Sequence, residues 1–116
     1  MASASQFPFQ PLGPSHLIVA DNPAPNPVQI SVDAGSTGYG QYRIINNSTE
    51  TVFLGVGANA AQATARAAAI AALTPTKTIV LVPGAVEILR FNGDAFFTAF
   101  SSTGAADIYI TPGQGL

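Results

Sequence analysis

The chain has no cysteine and no tryptophan. Without cysteine there is no disulfide scaffold, no zinc finger and no thiol nucleophile. Charge is the next shortage. Only 9% of the residues are Asp, Glu, Lys or Arg, where an ordinary soluble domain carries about 25%. The four basic residues, Arg43, Arg66, Lys77 and Arg90, are too few to track a phosphate backbone, which argues against a nucleic-acid partner. No Lys or Arg precedes Arg43, and the apolar run at 17–20 is too short for a signal-peptide core. No segment approaches the ~18 apolar residues of a membrane helix. The chain is therefore expected to be made in the cytoplasm, with no membrane partner and no export by the standard route. The lone histidine, His16, cannot form a histidine metal cluster within one chain.

What is present is apolar and small. Of 116 residues, 47% are hydrophobic and the net charge is −2. That is one domain's length, with enough apolar content to exclude a disordered chain. Its surface must be built largely from Ala, Gly, Ser, Thr, Asn and Gln. A folded protein with so little charge is expected to be covered by neighbours.

Residues 1–27 hold six of the nine prolines. Proline lacks an N–H and disfavours helix before it, so this segment reads as an extended arm with at most one short strand at 16–20. It is either a loose tail or an arm that buries Phe7 and Phe9 on a neighbouring subunit. Residues 28–116 form the domain proper. Strand patterns occur at 28–32, 39–46, 51–56, 77–82, 85–91, 95–100 and 107–111, separated by turn residues. The strands at 39–46 and 51–56 read as an antiparallel pair about the turn Asn46-Asn47-Ser48-Thr49. That turn chemistry, rather than glycosylation, is the reading given to the overlapping Asn-x-Ser/Thr triplets. Asn92-Gly93 predicts a hairpin joining 85–91 to 95–100. Pro83-Gly84 suits a type II turn and predicts a corner between two sheets. With about eight short strands, the fold class is all-β, a sandwich or barrel.

Residues 58–73 are the exception, with ten alanines in the first fifteen positions. Alanine favours helix, Asn59 can cap it and Pro75 would stop it. A loop of small residues is the competing reading.

No motif carries chemistry convincingly. Gly55-Val56-Gly57-Ala58-Asn59-Ala60 matches a dinucleotide fingerprint, but no acidic residue ends the next strand and the chain is too rich in turns for a doubly wound sheet. Gly35 to Gly40 lacks the Gly-Lys-Ser/Thr of a P-loop. Ser15 is merely adjacent to His16. Asp21, Asp33, Glu50 and Asp94 fall in or beside turns, and no Asp-x-Asp-x-Asp run marks calcium. No catalytic, metal or cofactor site is expected, and no enzyme activity. Arg43, Glu87 and Arg90 are embedded in strands, where they either face solvent or set register through cross-strand or intersubunit pairs. Phe96 and Phe100 share one strand face and Phe97 takes the other. One face of these rings must therefore be exposed or covered by a partner. The candidate interaction residues are Phe7, Phe9, Arg43, Arg66, Glu87, Arg90 and Phe97.

Three stretches resemble small proteins from tailed-phage structural gene clusters: YRIINNSTETVFLGVG at 42–57, VLVPGAVEILRF at 80–91 and AFFTAFSSTGAADIYITPGQGL at 95–116. The resemblance spans roughly residues 39–116. It implies a jelly-roll-like antiparallel β-sandwich and a capsid cement, or decoration, protein on the outer surface of the virion. The implied partners are the major capsid protein of an HK97-like shell and further copies of the chain itself, as a dimer or trimer. The family has no catalytic residues to transfer. Two other classes remain in view: a carbohydrate-binding or host-recognition module of a fibre or tail, and a dinucleotide-binding fragment resting on residues 55–60. The lack of tryptophan weighs against the former.

Overall fold

A computed structural model describes residues 9–31, 39–68, 78–92, 95–102 and 104–114. Over these residues the chain forms an antiparallel β-sandwich with one helix. The strands are β1 (Gln10–Pro11), β2 (His16–Ala20), β3 (Val28–Gln29), β4 (Tyr39–Asn46), β5 (Val52–Gly57), β6 (Ile79–Leu81), β7 (Val86–Asn92), β8 (Phe96–Phe100) and β9 (Ala106–Gln114), with α1 (Ala60–Ala68) between β5 and β6. In the first sheet β1 and β2 lie in turn along one edge of β9, and the order continues β9–β4–β7. The second sheet runs β3–β8–β5–β6. An isolated bridge from Asp21 to Phe100 marks where the chain leaves the first sheet for the second.

Strand parity builds the core. Ile18, Tyr42, Ile44, Ile108 and Ile110 point inward from the first sheet, and Ile30, Val52, Leu54, Leu81 and Phe97 from the second. Side chains two apart share a face, so each strand contributes alternate residues to this layer. Tyr42 and Phe97 meet edge to face, with ring centroids 4.9 Å apart, and Phe91 closes the cluster.

The corner at Pro83-Gly84 forms as the turn chemistry predicts. Ala85 N–H donates to the Val82 carbonyl (3.0 Å), Gly84 adopts φ 76°, and the chain passes from β6 in one sheet to β7 in the other. The buried Asn46 ties that corner down. Its Nδ2 donates to the carbonyls of Glu50 (2.8 Å), Leu81 (2.9 Å) and Val82 (3.1 Å), and its Oδ1 accepts from Ser48 Oγ (2.6 Å). The helix reading of the alanine-rich stretch also holds over Ala60–Ala68. Asn59 Oδ1 caps it by accepting from Gln62 N–H (2.9 Å). Pro75 lies outside the described residues.

Four expectations are corrected. Strands β4 and β5 do not pair: β4 lies between β9 and β7, and β5 between β8 and β6. The turn after Asn46 instead spends its hydrogen bonds on the corner and crosses between sheets. Nor is there a hairpin across Asn92-Gly93, because β7 pairs with β4 while β8 pairs with β3 and β5; residues 93–94 lie outside the described residues. Each strand gains more by joining a sheet whose buried face it completes than by pairing with its sequence neighbour. The arm is not free over its described part, since β1 and β2 are sheet strands and Leu12 N–H donates to the Pro112 carbonyl (2.8 Å). Finally, β9 does not stop before Pro112 but runs on to Gln114 between β1 and β4.

Candidate interaction surfaces

Over β5 and β8 the outward face of the second sheet is covered by the chain itself. Gly55 and Gly57 point outward from β5, and α1 lies directly on them. A Cβ at Gly55 would run into the Ala63 carbonyl and would stand 2.6 Å from the Ala67 nitrogen; one at Gly57 would stand 2.7 Å from the Ala63 nitrogen. Ala63 and Ala67 are fully buried as a result. The glycines that resemble a nucleotide fingerprint therefore serve as a bed for a helix. The Gln62 N–H at its start is held by Asn59, and Gln62 Oε1 accepts from Ala58 N–H (3.0 Å). Arg66, a candidate partner contact, turns inward instead: its Nη1 donates to the Val56 carbonyl (2.7 Å), pinning helix to strand. The Arg66 carbonyl in turn accepts from the Thr78 hydroxyl.

Phe97 is a second correction. It is fully buried in the core and unavailable to a partner. On the opposite strand face, Phe100 is buried within the chain beside Phe53, with ring centroids 6.2 Å apart, and Phe96 is half-buried. No partner is needed to hide Phe100.

The outward face of the first sheet is different. Register aligns Leu17 with Tyr109, Tyr109 with Ile45, and Ile45 with Val86, giving one apolar row across four strands. Leu17 is 53% exposed and Val86 57%. Val19 stands beside Leu17 on the same face, 39% exposed. On one side of the row Asp107 precedes Tyr109 along β9; on the other, Thr111 is registered with Arg43 and Arg43 with Ile88. Ser15 Oγ and Thr111 Oγ1 are hydrogen-bonded (2.6 Å) at that margin.

Three candidate residues gather on this face. The Phe9 ring seats on Gly113, where a Cβ would stand 2.5 Å from the ring's Cζ. Arg43 lies over that ring, 5.6 Å from guanidinium carbon to centroid. Its Nε is shielded and has no hydrogen-bond partner among the described residues. Arg90 faces outward in the next row, registered with Gln41 and through it with Gly113. Glu87 takes the opposite parity. It is registered with Ile44 but exposed at the rim of the edge strand β7, a placement that discourages further strand pairing there. Phe7 lies outside the described residues.

The row itself was not singled out from sequence, although a signal was present. In His16–Ala20 the residues of both parities, Leu17, Ile18, Val19 and Ala20, are apolar. A strand apolar on both faces is one whose two faces are both built for contact.

Elsewhere the second sheet ends in β6 and the first in β7, each paired on one side only among the described residues. Around the corner that joins them, Val80, Val82 and Val86 are 53%, 57% and 57% exposed. Among the described residues no three of His, Cys, Asp and Glu come together to hold a metal ion, and no helix is long and apolar enough to cross a membrane. Compared with protein-family models, with curated proteins and with solved structures, the chain finds no match.

Proposed function

We propose that this chain is a non-enzymatic virion structural protein, a cement protein on the outer surface of a tailed-phage capsid that bridges major-capsid subunits. The observation that carries the reading is the corner between the two free edges. There β6 and β7, each paired on one side only among the described residues, place the exposed Val80, Val82 and Val86 around one corner of a protein with little charge to keep such a surface in water. Two further features support it. The order β2–β9–β4–β7 facing β3–β8–β5–β6 is compatible with the two Greek keys of a jelly roll, an architecture that viral capsid domains use. The sequence resemblance over residues 39–116 points the same way. Bridging asks little of a single copy: each buries modest apolar area and adds edge hydrogen bonds, and the lattice multiplies the effect.

The test is to add purified full-length protein to capsids assembled without it and to measure copy number on pelleted particles. The reading expects near-stoichiometric, saturable binding that raises the temperature of particle disassembly. It also expects a Val80→Glu/Val82→Glu double variant, folded by circular dichroism, to lose that binding. Absence of saturable binding by the unmodified chain overturns it.

A further inference from the structure

The corner takes only the Val86 end of the apolar row of the first sheet and does not engage Leu17, Tyr109 and Ile45. We infer that this outward face is the seat of a second copy of the same chain, and that the two copies are related by a two-fold axis lying along the row Leu17–Tyr109–Ile45–Val86. The pairing does not depend on the shell reading.

The argument is one of self-complementarity. A two-fold interface must match its own surface. An axis along the row turns each of its residues onto its own copy, apolar on apolar. It also exchanges the two flanks. The flank with Asp107 in one copy then faces the flank with Thr111 and Arg43 in the other, so opposite charges meet at both ends of the contact. The partner's Arg43 sits one strand, roughly 4.8 Å, from the point opposite Asp107. An axis along the strands would instead set Asp107 against the flank that holds Asp107 and Arg43 against the flank that holds Arg43, which like charges disfavour. The second copy is also what the charge inventory suits. The face carries charges of both signs, Asp107 on one flank and Arg43 and Arg90 on the other, rather than a patch of one sign awaiting its opposite. Four strands at ~4.8 Å and about seven residues of each give a footprint of roughly 20 × 25 Å. That is about 500 Å² per partner, smaller than the roughly 800 Å² of a standard specific interface. The dimer is therefore concentration-dependent rather than permanent.

The absence of cysteine makes the axis directly testable. Leu17→Cys and Val80→Cys variants of the full chain each introduce a single thiol at positions of equal exposure, 53%, one on the axis and one on the other sheet. Facing sheets stand about 10 Å apart, too far for a direct disulfide between the two copies, so a thiol-to-thiol crosslinker about 8 Å long is used; it should join Leu17→Cys copies at least about tenfold faster than Val80→Cys copies. Equal rates, or a faster Val80→Cys, overturn the proposal. Sedimentation over a concentration series provides the second measurement. The unmodified chain should pass from monomer to dimer, and Leu17→Glu, which places two carboxylates on the axis, should weaken that association by about 100-fold or more. A chain that stays monomeric throughout overturns the proposal, as does a folded Leu17→Glu variant that dimerises normally. Loss of capsid binding with dimerisation intact would count against the cement reading alone.

Discussion

Tyr42 in the first sheet donates its hydroxyl to the Ile30 carbonyl at the end of the second, 2.8 Å away, with both residues fully buried. This bond crosses the core between sheets that no ladder joins among the described residues, beside the edge-to-face contact of Tyr42 with Phe97. Tyr42→Phe keeps the ring packing and leaves a buried carbonyl without that donor, which costs about 1–3 kcal/mol. In urea unfolding the midpoint should fall while the slope stays constant. A midpoint unchanged by the substitution would show that the bond contributes nothing net.

Asn46 is a second such fastening. Its amide serves three carbonyls from two separate turns, and no carboxylate can replace a donor there. Asn46→Asp puts acceptor against acceptor in a buried site and should cost about 3 kcal/mol or more. Asn46→Ala should cost less than Asn46→Asp, since it removes the donor without adding a charge. Equilibrium denaturation of both variants gives the order directly, and the reverse order would refute the account.

Gly55 and Gly84 are glycines for different reasons, and substitution should separate them. At Gly84 a Cβ meets nothing within 4 Å, but φ is +76°. Gly84→Ala therefore carries only backbone strain, about 1 kcal/mol. At Gly55 the obstacle is the backbone of α1, which cannot yield as a side-chain tip can. Gly55→Ala should cost about 3 kcal/mol by overpacking and lift the helix from the sheet. Thermal melting should show a clearly larger fall for Gly55→Ala, since about 1 kcal/mol moves the midpoint by roughly 4–8 °C in a domain of this class. Hydrogen exchange at the α1 amides should accelerate in Gly55→Ala and not in Gly84→Ala.

The features readable from sequence were those set by neighbours along the chain. Pro83-Gly84 makes a turn because proline presets one φ and glycine permits a positive one. Asn59 caps a helix because its side chain reaches the amide of Gln62, three residues on. The all-β class follows from alternation and turn spacing, and the inward parity of Tyr42, Ile44, Val52 and Leu54 follows from the same period of two.

Which strand lies beside which was decided only in three dimensions. A strand presents the same N–H and C=O groups on both edges to any partner, so its sequence states which residues face inward but not which neighbour it takes. Asn92-Gly93 is good hairpin chemistry, yet β7 and β8 lie in different sheets because each completes a buried layer there. Phe97 looked available to a partner and is buried in the core, and Arg66 uses its Nη1 to hold the helix to the Val56 carbonyl. Leu17, Ile45, Val86 and Tyr109, scattered along the chain, become one surface because register brings them into line. The scarcity of charge was legible from the start; where that scarcity leaves an apolar face outward was decided by long-range pairing.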